Sequence, residues 1–223
     1  MLTEVAMRQV VVFLSAISLI LGGCYQNTDS ATALLEAKVS NRPIVGMVPI
    51  IDRSERDLNW NVSHELSQTI RKRFVETNQL YMVSAEPIAA MAEKAFSAHD
   101  PFDTDTTWIR KSFPQNEFVV FMELLEHDEI PLISKNPQDP PAELALSVRV
   151  RVVDLREKNP KVILQETVQQ SYHVPRQFTK ANFNQVPWGD EAFDVSPLGL
   201  AHDQLCKEIA GRIEDYILIS GRK

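Results

Sequence analysis

Glycine is scarce in this chain: only seven in 223 residues, with Gly22 and Gly23 adjacent near the amino terminus. A loop that cradles phosphate needs several glycines in a short span, and no such span exists, so the familiar nucleotide-binding loops are excluded. Cysteine is scarcer still, with Cys24 and Cys206 alone. Two distant cysteines make no CxxC pair and no zinc ribbon. The five histidines, His64, His99, His127, His173 and His202, stand at no metal-ligand spacing such as HxxxH. No GxSxG elbow marks a serine hydrolase. Positive charge is also short, with 23 basic against 30 acidic residues and a net charge of −7. Nucleic-acid binding rests on Lys and Arg neutralising phosphates, so a general nucleic-acid partner is excluded. What remains is an ordinary globular composition, 44% apolar and 24% charged. That rules out a collagen, a coiled coil and a wholly disordered chain. No cofactor or metal is implied.

The amino terminus is more informative. Residues 10–21, VVVFLSAISLIL, form a nearly unbroken apolar run of 12. About 20 residues are needed to span a bilayer as a helix, whereas about 7–15 suit the apolar core of a secretory signal. Glu4 weakens the expected positive start, and Met7 offers a cleaner one. Directly behind the run stands Leu21-Gly22-Gly23-Cys24. This resembles the bacterial lipobox, whose cysteine is acylated and becomes the first residue after cleavage. The resemblance implies a signal peptide over residues 1–23 and membrane lipid as the partner of Cys24. Tyr25, in place of Asp, implies the outer membrane with the domain on its periplasmic face. Each buried lipid CH₂ contributes about 0.8 kcal/mol, and one chain alone binds marginally, so the several chains of a lipobox cysteine would hold permanently. With Cys24 consumed, Cys206 has no disulfide partner, and among Leu205, Ile209, Ala210 and Ile213 it reads as a small buried residue.

Residues 24–42 read as a polar tether with a reach of about 20–25 Å, and residues 43–223 as a single α/β domain. Residues 44–51, IVGMVPII, form a buried strand in which Pro49 marks an end or an edge. An amphipathic helix follows from Val62 to about residue 76, with Val62, Leu66, Ile70 and Phe74 on one face and Asn61 as its cap. Residues 80–84 form a short strand, residues 86–98 a helix, residues 106–113 a further short helix, and residues 118–125 a strand. A polar loop is expected over residues 127–141. Residues 143–155 and 162–174 alternate with period two and are joined by Lys158-Asn159-Pro160, which predicts a long antiparallel hairpin with one wet face. Ser196 caps a last helix that begins at Pro197. The fold class is therefore α/β (α+β), a single mixed sheet of roughly five strands with helices packed on it. Its main elements run β-α-β-α-β-β-β-α.

The opening strand, with its Pro49 and the polar step Asp52-Arg53-Ser54, resembles a group of bacterial envelope domains. The group includes the amino-terminal domain of the Tol–Pal translocation protein, the curli-secretion lipoprotein and the lipoprotein activators of penicillin-binding proteins. The resemblance implies a non-enzymatic lipoprotein, with an envelope protein as partner and oligomeric state left open.

Two surfaces are candidates for that partner. The long loop over residues 175–195 carries Phe178, Phe183, Trp188 and Phe193 among charged residues. Aromatic side chains in such a loop suit a protein-binding anchor, or they fold back to cover the sheet. The wet hairpin face carries Arg149, Arg151, Gln169 and Ser171. His127-Asp128-Glu129 reads as a solvated loop, and His64-Glu65 as surface of the first helix. An alternative from another class is an envelope hydrolase in which Glu123 and Glu166 pair as acid and base. A third is a purely structural lipoprotein.

Overall fold

The computed structural model describes residues 41–55, 58–133, 141–175 and 186–221. The leader, Cys24 and the tether up to residue 40 lie outside the described residues.

Pro49 shapes the start of the sheet. The predicted single strand divides into β1 (Ile44–Met47) and β2 (Ile51–Asp52), both parallel to β4 (Phe118–Pro131). Proline has no N–H to give the ladder. Pairing lapses there, and the Ile50 N–H donates instead to Ser67 Oγ at 2.9 Å. Ser67 belongs to α1 (Val62–Thr77), which starts as expected: the Asn61 side chain accepts from the His64 N–H. The helix ends at Asn78, which takes the left-handed conformation at φ 53°. β3 (Tyr81–Met82) then lies parallel to β1.

α2 (Ala85–Phe96) and α3 (Thr107–Ser112) precede β4, which leads into β5 (Ala142–Asp154) and β6 (Lys161–Val174). The last three strands form an antiparallel meander, so the predicted hairpin of residues 143–174 is present and β4 extends it. The six strands make one mixed sheet in the order β3-β1-β4-β5-β6, with β2 also on β4. α4 (Glu191–Asp194) is a single turn, and α5 (Pro197–Ser220) begins where Ser196 Oγ accepts from the Gly199 N–H.

Helices cover both faces of the sheet. On one face α1 and α5 bury Leu66, Ile70, Phe74, Leu205, Ile209 and Ile213 against Val120, Leu146 and Val150. Each such side chain contributes about 1.5–3 kcal/mol, so this face carries the main core. On the other, α2 and α3 bury Ile88, Ala92, Trp108 and Ile109 against Val119, Phe121 and Val153.

The second layer corrects the expected wet face. Gln169 and Ser171 on the edge strand β6 are exposed, but Arg151 on β5 is only 5% exposed. Its guanidinium donates to the carbonyls of Pro101 and Asp103 at 2.7 and 2.6 Å. Arg149 lies over the Phe102 ring and pairs with Glu123. The cause is topological. A β4 strand with helices beyond it makes β5 an interior strand, and period-two alternation does not reveal whether a polar face meets water or protein.

A second correction concerns β4, which the sequence ends near residue 125. It runs on to Pro131 through a bulge at Leu125, between Leu124 and Glu126. One extra residue reverses the side-chain phase. Before the bulge Phe118, Val120, Met122 and Leu124 face the main core; after it His127 pairs with Leu146 and faces that same core. His127 is therefore a buried strand residue and not part of a solvated loop.

Candidate functional site

The buried face of α1 carries two polar residues, Ser67 and Glu65, and that of α5 carries His202. Glu65 lies one residue before Leu66, and His202 one residue after Ala201, so both point inward with their apolar neighbours. They meet in the core. His202 Nδ1 lies 2.7 Å from Glu65 Oε1, and His202 Nε2 lies 2.9 Å from His127 Nε2. The other Glu65 oxygen accepts from Trp60 Nε1 at 2.7 Å. The exposures of Glu65, His202 and His127 are 2%, 1% and 2%. Burying such groups is unfavourable unless they are paired and hydrogen-bonded, and this chain of bonds meets the requirement. It also links α1, α5 and β4.

A cleft of about 780 Å³ opens beside this chain, with Glu65 and His202 in its lining. One wall is α1; the other is residues 188–194 with the first turns of α5. Arg73 on α1 pairs with Asp203 on α5, and Thr77 Oγ1 donates to Glu214 Oε2 at 2.6 Å. These contacts clamp the two helices together. Lys72 and Arg73 are the cations of the lining, while Asp190, Glu191 and Asp194 put negative charge on the facing wall.

The predicted aromatic loop reaches this cleft in part. Trp188 lines it and stacks edge-on against His64, with centroids 5.5 Å apart. Phe193 is buried in the main core, 5.5 Å from the Trp60 ring and 6.1 Å from His202. Its placement depends on Gly199, where an added Cβ would stand 2.0 Å from the Phe193 carbonyl oxygen. For Phe193, then, folding back is the outcome. Phe178 and Phe183 lie outside the described residues. Arg149 and Arg151 belong to the opposite face of the sheet and take no part in the cleft.

The acid–base alternative is corrected by the register. Glu123 pairs across with Arg149, and Glu166 with Val150, so the two carboxylates point to opposite faces of the sheet. Each is also engaged, Glu123 with Arg149 and Glu166 with Arg212. Cys206 is fully buried, as its apolar neighbours imply, and burial pushes its thiol well above the ordinary range.

Sequence reasoning missed Glu65, His202 and His127 as a group. The signal for the first two was present, a polar residue inside each apolar helical stripe. For His127 it was not, because the bulge hides its phase.

A family profile matches residues 32–221, most of the chain. The chain belongs to DUF7499, a family of unknown function. Among solved structures, the DUF7499 chain is similar to the hypothetical protein CT253 from Chlamydia trachomatis. Identity is 27% and the TM-score 0.64, over 79% of this chain and 98% of that one. It is also similar to lipoprotein GNA1162 from Neisseria meningitidis, with 16% identity and a TM-score of 0.43 over 76% and 99% of the two chains. For the LpoB C-terminal domain from Escherichia coli the values are 12% and 0.34, over 57% and 82%. No curated protein matches the chain.

Proposed function

We propose that this DUF7499 protein is a lipid-anchored lipoprotein of the bacterial envelope that acts by binding another envelope protein and not by catalysis. The observation that carries the reading is Leu21-Gly22-Gly23-Cys24 directly behind the 12-residue apolar run. On this reading residues 1–23 are removed, Cys24 is acylated, and residues 24–42 tether the domain to the periplasmic face of the outer membrane. Among the described residues no helix is long and apolar enough to cross a membrane, and the reading assigns attachment to Cys24.

The partner surface is the cleft between α1 and residues 188–203. Trp188 is half-buried there and Leu200 is exposed, a pairing of aromatic and apolar contact that suits a protein anchor. Phe178 and Phe183 belong to the same loop sequence and extend the candidate set. The opposite-face placement of Glu123 and Glu166 supports binding over acid–base chemistry.

Mass spectrometry of the amino-terminal peptide tests the anchor. Acylated Cys24 is expected, and Cys24→Ser should move the protein from the membrane to the soluble fraction. An unmodified Cys24 would remove the lipoprotein reading. In-cell cross-linking tests the cleft. Trp188→Ala with Leu200→Ala should lower capture of a dominant envelope partner several-fold while the domain stays folded at the assay temperature, the melting temperature falling because Trp188 also packs against the core. Equal capture would remove the cleft from consideration.

A further inference from the structure

The Glu65–His202–His127 chain has a proton count that limits it. Two imidazole nitrogens facing each other at 2.9 Å make a hydrogen bond only when one carries a proton and the other does not. Glu65, as a carboxylate, accepts from His202 Nδ1–H. With both rings neutral, His202 Nε2 is the acceptor and His127 Nε2–H the donor. One added proton, taken up at His127 Nδ1 as the shared proton passes to His202 Nε2, keeps the bond and reverses it: His202, now an imidazolium, donates from both nitrogens, to Glu65 and to His127. A second added proton places N–H groups on both facing nitrogens. The acceptor between the rings is lost, two cations meet at contact distance, and the rings must part.

The consequence falls on one wall of the cleft. His202 sits in the second turn of α5, and the Phe193 ring packs on it and on Trp60, whose indole is bonded to Glu65. Residues 188–203 therefore rest on a platform that the chain holds together. The other titratable and charged groups around that platform come from every side. α1 offers His64, whose ring stands against Trp188; Lys72 and Glu76, in the cleft lining; and Arg73, paired to Asp203 of α5. β4 offers Glu129, which shares the face of His127. β6 offers Tyr172, whose phenol burial pushes up to about 12, with Glu208 adding to the rise. α5 offers Glu208 and the buried Cys206 thiol, and residues 190–194 offer Asp190, Glu191 and Asp194 at the cleft.

We infer that the Glu65–His202–His127 chain is an acid-operated latch: it holds residues 188–203 against α1 with up to one added proton and releases them with the second. The open form binds more protons than the closed one, so falling pH favours opening. The latch stands on this geometry alone, and only its use in controlling partner capture rests on the function proposed above.

Hydrogen–deuterium exchange on the full chain, as isolated from whichever cell fraction holds it, tests it, comparing about pH 7.5 with about pH 5, the range in which imidazoles ordinarily titrate. After correction for intrinsic exchange, peptides over residues 188–203 should open at least tenfold more at the acid pH, while peptides over β5 stay protected. In His127→Gln the side chain offers His202 a donor or an acceptor but takes no charge, so the acid response should vanish. An acid response of equal size in His127→Gln, or none in the parent chain, would overturn the latch. Should that variant fail to fold, ¹⁵N spectra of the parent chain's histidines decide. A proton shared between the Nε2 atoms should be seen near neutrality and lost in acid, and its persistence at the acid pH would overturn the proposal. Acid opening with no change in partner capture would leave the latch standing and count against the cleft as the partner surface.

Discussion

Gly199 and Gly211 lie on one helix and impose opposite demands. Alanine inside a helix is ordinarily favoured over glycine by about 0.8–1 kcal/mol. At Gly211 an added Cβ meets nothing within 4 Å, so Gly211→Ala should stabilise the domain by nearly that amount. At Gly199 the same Cβ would stand 2.0 Å from the Phe193 carbonyl oxygen, and the short turn of α4 must move away. Overpacking of this kind costs about 1–3 kcal/mol, which should lower the melting temperature by about 2–4 °C for each kcal/mol in a chain of this size. Thermal melts of the two variants check the pair. A Gly199→Ala protein that melts higher than its parent would mean that the contact with Phe193 is readily relieved. The same contact explains why Phe193 is buried. A glycine one turn into α5 lets the preceding turn dock closely, and docking carries the ring inward. Nothing in the loop's composition distinguishes a glycine used for close approach from one that merely tolerates it.

Among the elements, β4 holds the decisive irregularity. The bulge at Leu125 lets one strand present Phe118, Val120, Met122 and Leu124, and then His127, to the same core. Deleting Leu125 joins Leu124 to Glu126 and restores strict alternation, with His127 still opposite Leu146 on the core face. Glu65, His202 and His127 keep their chain in that variant, which should retain a cooperative unfolding transition in circular dichroism. His127→Leu instead leaves the facing His202 nitrogen without its partner, at a cost of about 1–3 kcal/mol, and should melt below its parent. Loss of the transition in the deletion variant would show that β4 needs the bulge for more than its phase. The helices were far more legible than this strand. Asn61 and Ser196 cap α1 and α5 as their positions suggested, because a cap is a local bond between residues three apart. A bulge answers to the partner strand and has no comparable local mark.

At the scale of the whole molecule, the second helical layer distinguishes this fold from a one-faced sheet. Arg151 ties that layer to the sheet through two backbone carbonyls of the segment between α2 and α3. Burial lowers its affinity for the proton, yet Asp100 and Asp103 oppose that, and the side chain acts as a donor bridge. Arg151→Met removes both bonds and leaves the carbonyls of Pro101 and Asp103 without that donor, at a cost of about 1–3 kcal/mol. The midpoint of urea unfolding should fall accordingly, and proteolysis should appear first between α2 and α3. An unchanged midpoint would mean that the second layer docks through its apolar contacts alone. The order of the main elements, the antiparallel hairpin, the starts of α1 and α5 and the lipobox-like cysteine can all be read along the chain. All of these are local: they depend on side-chain periodicity, on caps, or on a short run of residues. The burial of Arg151, the opposite facing of Glu123 and Glu166, and the joining of Glu65, His202 and His127 into one chain arise on folding. Those outcomes depend on strand order, on register and on a single extra residue in β4, which bring together side chains 137 and 75 positions apart.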